Sequence, residues 1–145
     1  MTATDLSREA LAVAGNNAGL LLEPGSQLKL YGGNLFQALP SGLKFDILVS
    51  NPPYIPTSVI EELQPEVRDF EPRMALDGKA DGKEFYRRIA GEAKEWLKPG
   101  AAVYLEIGYD QAEAVWELFD KNGFKNIRII KDLPGLNRVM RADYV

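Results

Sequence analysis

The chain has 145 residues, with 17 Lys and Arg against 21 Asp and Glu, a net charge of −4, and neither cysteine nor histidine. The missing Cys and His exclude disulfide scaffolds, thiolate-bound zinc, iron–sulfur clusters, Ser-His-Asp triads and His-bound metals. The acidic balance gives no general pull toward nucleic acid or anionic membrane, no apolar run nears the roughly 18 residues of a membrane span, and no signal peptide opens the chain, so it reads as soluble and cytoplasmic.

Short apolar runs alternate with amphipathic ones. Ser7 to Leu20 reads as a helix, capped by Ser7, with Ala10, Leu11, Ala14 and Ala18 on one face. After the break at Pro24-Gly25, Gln27 to Tyr31 reads as a strand that Gly32-Gly33 ends. Phe45 to Ser50 is nearly all apolar, the pattern of a strand buried on both faces of a parallel sheet. Residues 52 to 81 hold five prolines and many charges. A loop of about thirty residues is unusual and is often functional. A short helix around Ser58 to Leu63 is expected inside it. Asp81 is expected to cap a helix whose Phe85, Ile89, Ala93 and Trp96 recur at helical spacing, stopped by Pro99-Gly100. Ala101 to Ile107 reads as a second buried strand. Asp110 and Glu113 form a capping-box pattern, Val115, Leu118 and Phe119 mark a buried face, and Asn122-Gly123 suits a C-terminal cap. Asn126 to Ile130 and Arg138 to Val145 read as the last strands, around a turn at Pro134-Gly135.

This order argues for a doubly wound α/β sheet, with its ligand site beyond the carboxyl ends of the strands. No linker splits the chain, so residues 1–145 read as one domain.

Asn51-Pro52-Pro53-Tyr54 falls at such a carboxyl end. Two consecutive prolines fix φ and remove two backbone donors, which leaves the Asn51 and Pro52 carbonyls free to accept from a ligand. The Asn51 amide presents one acceptor and two donors in a plane, and Tyr54 adds an aromatic face. Together they suit a planar group bearing an NH2, either a carboxamide or an exocyclic base amine. A plain strand-ending turn is the competing reading. Glu71 and Arg73, in the long loop, read either as groups that order the loop around a substrate or, the favoured reading, as a solvated charge pair. Phe85, Trp96 and Phe119 read as core.

The motif after an apolar strand resembles that of the class I S-adenosylmethionine-dependent amino-methyltransferases. The runs Pro65-Glu66-Val67, Phe70-Glu71-Pro72-Arg73, Ala75-Leu76-Asp77-Gly78, Asp81-Gly82, Phe85-Tyr86-Arg87 and Leu105-Glu106-Ile107-Gly108 narrow the resemblance. They are similar to those of the HemK/PrmC family, the protein-(glutamine-N5) methyltransferases of peptide chain release factors. The resemblance runs from Thr4 almost to the C-terminus.

The resemblance implies a Rossmann-like sheet, S-adenosylmethionine as cofactor, no metal, and release factors as the substrate. It implies that Asn51 and the Pro52 carbonyl accept the amide hydrogens and that Tyr54 packs on the amide plane, with Pro53 completing the substrate-binding turn. Asp5 matches the acid that binds the cofactor ribose, although a helix cap is an equal reading for it. Asn34 matches a position near the adenine amine where the family usually has Asp, Leu35 is placed to pack on the ring, and Asn51 is expected to border the cofactor as well as the substrate. A turn or cap role is as good a reading for Asn34.

Besides Asn34, the chain departs from the family at its N-terminal side. The first strand and its glycine-rich loop, which grips the methionine end of the cofactor, have no counterpart here. Gly32-Gly33 and Gly78 do not occupy that context. The N-terminal helical domain is also absent, so the resemblance implies a partial catalytic domain, incomplete and weakly active. In the family sheet the first strand is central, and its loss exposes two rows of backbone groups. Closure of the sheet, self-association through the gap, or repacking of the segment up to about Leu30 are the expected responses. The rivals are a nucleic-acid amino-methyltransferase, against which the acidic charge speaks, and a non-catalytic binding module.

Overall fold

Ser7 lies just outside a helical turn and its hydroxyl accepts the Ala10 amide at 3.1 Å, which starts helix α1, Arg8–Leu21. In the computed structural model, which describes residues 1–145, α1 links strands β1, Thr2–Asp5, and β2, Lys29–Gly32. The two strands pair in parallel, from Thr2 opposite Lys29 to Asp5 opposite Gly32, and complete a β-α-β unit. Leu11, Ala14 and Ala18 are the half-buried stripe of α1, as the spacing predicts, and Ala10 is exposed. A 3₁₀ turn, Leu35–Ala38, buries Phe36. These elements belong to a compact unit spanning Met1–Leu43.

The second unit, Lys44–Val145, contains the larger sheet. Its strands are β3, Phe45–Ser50; β4, Leu97–Glu106; β5, Lys125–Lys131; and β6, Asn137–Asp143. Their order is β3-β4-β6-β5, with β3 and β4 parallel and the β5–β6 hairpin antiparallel. The β1–β2 pair is a two-stranded sheet of its own unit. The long connection after β3 folds into a 3₁₀ turn at Thr57–Glu62, close to the expected helix, and two single turns, α2, Pro65–Arg68, and α3, Arg73–Leu76. Helices α4, Glu84–Glu92, and α5, Ala112–Lys121, follow.

One face of the sheet carries Val103, Leu105, Met140 and Ala142, all essentially buried. Tyr86, Ile89 and Ala90 of α4 and Val115 and Phe119 of α5 are the buried residues of these two helices. Phe119 packs on Phe124 with ring centroids 4.9 Å apart, just past the α5 stop at Asn122 and Gly123, where φ is +79°. The buried α4 face is centred on Tyr86 rather than Phe85, and Trp96 is only half-buried.

Four local expectations are corrected. Asp81 does not occupy the cap position of α4, which is Lys83 without a side-chain cap bond; it accepts the Lys83 amide at 3.1 Å and pairs with Arg87. The apolar run at Phe45–Ser50 forms a strand with those bounds, but Ile47 and Val49 are 61% and 75% exposed. The helices of this unit cover one face of its sheet, and Ile47 and Val49 pair with Ala102 and Tyr104 on the other. Pro99-Gly100 lies within β4 rather than between helix and strand, in the irregular stretch where the register jumps from Leu97 to Ala102. Asp110 does not cap α5; Gln111 occupies the cap position, without a side-chain cap bond.

Phe119 has no exposed surface and packs on Phe124. Phe119→Ala is expected to cost about 3–5 kcal/mol, read as a lowered midpoint with unchanged slope in urea unfolding.

Candidate active site

Strand β3 ends at Ser50, and the chain turns through Asn51-Pro52-Pro53-Tyr54 at its carboxyl end. Asn51, Pro52, Tyr54 and Ile55 line a cavity of about 250 Å³, and Glu71, Ala75 and Leu76 close it from the far end of the loop. That volume lies between a cavity sized for one benzene, ~150 Å³, and a drug-sized pocket, ~300–1,000 Å³. It suits one planar side-chain group. Pro52 is buried while Asn51 is exposed, and the Asn51 carboxamide has no hydrogen-bond partner within the chain.

The two lining segments are stitched together. Ile55 donates its amide to the Leu76 carbonyl at 3.1 Å and accepts the Gly78 amide at 2.8 Å, and the Thr57 hydroxyl donates to Asp77 at 2.6 Å. Asp77 is thereby held below the usual carboxylate range, first by the Thr57 bond and then by the Lys79 amide. The approach requires glycine twice. A Cβ on Gly78 would lie 2.8 Å from the Tyr54 Cα. On Gly82, where φ is +70°, it would run into the Tyr54 carbonyl oxygen.

Tyr54 is anchored at both ends. Its hydroxyl donates to Glu106 Oε1 at 3.2 Å, and its carbonyl accepts Gln111 Nε2 at 3.0 Å. Burial, then the neighbouring Glu106 charge, pushes the phenol above its ordinary pKa, so it stays protonated near neutrality. Tyr86 lies behind it, with its hydroxyl 3.1 Å from the Glu106 carbonyl and 3.3 Å from Gln111 Oε1. Burial raises its pKa further still.

Glu71 and Arg73 do not pair. Arg73 bonds Glu61 at 2.8 Å, and the Glu71 side chain, with no partner in the chain, lines the cavity. Sequence reasoning missed Gln111, Glu106, Tyr86, Gly78 and Gly82 as supports of the site. Four of these stand in the short runs that carry the family resemblance, which was the available signal. Gln111 lies beyond those runs.

In the Met1–Leu43 unit, Asp5 ends β1. Its Oδ1 accepts the Ser7 amide at 2.7 Å, its carbonyl accepts the Gly33 amide at 2.9 Å, and its second carboxylate oxygen has no partner. The helix cap is therefore Ser7, not Asp5. Asn34 stands at the cap position of the 3₁₀ turn without a side-chain cap bond. Leu35 follows with φ +51°, a conformation uncommon for a non-glycine residue and often found at ligand sites. A carboxylate oxygen left free beside a tight turn fits the hydroxyl pair of a ribose.

The chain is 46% identical to a release factor glutamine methyltransferase of Geobacter sulfurreducens, over 90% of the chain and 45% of that protein. It is 49% identical to one of Caulobacter vibrioides, over 94% of the chain and 46% of that protein. Among solved structures, a Pyrococcus furiosus methyltransferase superposes with a TM-score of 0.69 at 21% identity, covering 98% of this chain and 61% of that one. A release factor-specific protein-(glutamine-N5) methyltransferase from Alicyclobacillus acidocaldarius superposes with a TM-score of 0.54 at 27% identity, covering 99% and 78%. No family model matches the chain. The chain spans about half the length of the curated relatives it matches.

Ultraviolet titration is expected to show Tyr54 and Tyr86 deprotonating late, above the usual value of about 10. Both pKa values are raised in the folded state. Their contribution to stability is therefore present below pH ~10 and lost as pH rises through the folded values. Tyr86→Phe should remove one of the two late steps.

Proposed function

We propose, for a chain that belongs to the release factor glutamine methyltransferase family and spans about half of its relatives' length, that the cavity at Asn51–Tyr54 receives a glutamine side chain of a peptide chain release factor for methylation at N5. The observation that carries this reading is the unspent Asn51 carboxamide at the mouth of a cavity of about 250 Å³. The match in chemistry is direct, since a carboxamide offers two N–H donors and one acceptor and Asn51 presents the complementary set.

An amide nitrogen is a poor nucleophile because its lone pair is shared with the carbonyl. The residues of this chain contribute geometry. Asn51 Oδ1 and the Pro52 carbonyl accept the two amide hydrogens, which fixes the nitrogen and favours the positive charge that develops on it. The Tyr54 ring packs on the amide plane, and its protonated phenol, tied to Glu106, holds the ring still. In the cofactor role, the free oxygen of Asp5 suits the ribose hydroxyls of S-adenosylmethionine, Asn34 the adenine amine and Leu35 the ring face. When bound, S-adenosylmethionine supplies an already activated methyl group, so no metal is required. Transfer would join that methyl carbon to N5 as the carbon–sulfur bond is lost, and one amide proton would leave to solvent.

The test is transfer of isotope-labelled methyl from S-adenosylmethionine to a purified release factor by the whole chain, alongside calorimetric titration with the cofactor. Label should appear on a glutamine, and Asn51→Ala should lower transfer by about 100-fold or more with cofactor binding within a few-fold of the parent. Labelling of RNA or DNA instead of the release factor, or no label at all, would overturn the reading.

A further inference from the structure

Gln111 is the one polar side chain buried with the apolar core, at 7% exposure. It stands where a helix cap belongs, yet its side chain makes no cap bond. Instead it turns inward, and each of its two polar atoms has two partners. Nε2 donates to the Tyr54 carbonyl at 3.0 Å and approaches the Gly82 carbonyl at 3.4 Å. Oε1 accepts the Gly108 amide at 3.1 Å and the Tyr86 hydroxyl at 3.3 Å. One carboxamide therefore joins the cavity turn, the loop before α4, helix α4 itself and the turn after β4.

The Tyr54 bond differs in kind from the other three. Pro52 and Pro53 have no N–H, so the cavity turn cannot be tied down through its own amides over those two residues. Their φ angles are fixed, and the freedom that remains lies in the peptide planes that follow. Gln111 captures the Tyr54 carbonyl and fixes the plane that leaves the turn, while Glu106 takes the Tyr54 hydroxyl at the far end of the ring. Tyr86 reaches both the Glu106 carbonyl and Gln111 Oε1, which closes a circuit through Gln111, Tyr54, Glu106 and Tyr86. Gln111 does not line the cavity, so it acts through Tyr54.

We infer that Gln111 is a positioning residue: its carboxamide, holding the Tyr54 carbonyl, sets the direction of the Tyr54 ring and so the width of the slot that admits the substrate amide. The slot as a glutamine site rests on the proposed function above; the hold on Tyr54 does not. Gln111→Glu separates the two halves of the side chain. A carboxylate keeps the acceptor for Gly108 and Tyr86 and loses the donor to Tyr54, where it faces a carbonyl oxygen with like partial charge. Gln111→Met removes donor and acceptor together while keeping the length.

The experiment uses the whole chain labelled with 3-fluorotyrosine, with the Tyr54 resonance assigned by its loss in Tyr54→Phe. In Gln111→Glu and Gln111→Met the Tyr54 resonance should shift or split, while that of Tyr144, which packs on Phe124, stays in place. Affinity for a release factor peptide bearing the glutamine should fall at least tenfold. Asn122→Ala is the stability control, since it removes a bond from Asn122 to the Leu118 carbonyl at the other end of α5. It should lower the melting temperature without moving Tyr54 or peptide affinity. If both Gln111 variants leave the Tyr54 resonance unmoved, or move it no more than Asn122→Ala does, the positioning role is overturned. If the parent chain binds no glutamine peptide, the proposed function fails, and the Tyr54 resonance by itself still supports or overturns the hold by Gln111.

Discussion

A turn that contains two successive prolines must be held by something other than its own amides. Asn51-Pro52-Pro53-Tyr54 offers the rest of the chain no donor over two residues, so its position depends on groups that donate to it or crowd against it. The chain supplies both. Gln111 donates to the carbonyl that ends the turn, and Gly78 and Gly82 bring backbone so close to Tyr54 that no side chain fits between. The loop that follows can then be long and rich in proline without being loose. The parallel bridge from Ile55 to Asp77 closes it at its base, so residues between them need only cover the cavity.

Burial gives this arrangement its selectivity among polar groups. A buried amide or hydroxyl left without a partner costs on the order of 1–3 kcal/mol, and no buried side-chain nitrogen or oxygen lacks one. The Gln111 amide, the Tyr86 hydroxyl and the Tyr54 hydroxyl are all engaged with one another or with Glu106. The exposed Asn51 carboxamide and the Glu71 carboxylate are not, and both face the cavity. Polar capacity is thus used up behind the turn and left open in front of it, which is the asymmetry a binding site needs.

Local pattern carried much of this in the sequence. Phe45–Ser50 was legible as a strand to the residue, because an apolar run ending in Asn-Pro-Pro has few other readings. Asn122-Gly123 was legible as a helix stop, since the positive φ there favours glycine. The errors share one physical origin, which is that they concern partners far along the chain. The exposure of Ile47 and Val49 depends on which sheet face the helices cover, and an apolar run reports only that cover is available. Asp110 and Glu113 have the spacing of a capping box, but the cap position passed to Gln111, whose inward bond to Tyr54 spans 57 residues of sequence. Glu71 and Arg73 are neighbours in sequence, yet Arg73 found Glu61 across the loop. At the other unit, Asp5 was legible as an acid near a helix start; that Ser7 caps the helix and leaves one Asp5 oxygen unspent required the geometry.

The chemistry of the proposed reaction explains why so few titratable groups are needed at the cavity. A neutral amide gains positive charge on nitrogen only as the new carbon–nitrogen bond forms, and the N-methylated cation is then a strong acid toward water. Its proton leaves without a base of matched pKa, so neither histidine nor a perturbed carboxylate has a necessary role. What limits such a reaction is the alignment of a delocalised lone pair with the methyl carbon, where an error of an ångström is costly. The structural effort in this chain follows that requirement. Its buried tyrosine and glutamine serve to hold a ring and a peptide plane, and the phenol pKa values are raised as a consequence of the burial that holding demands.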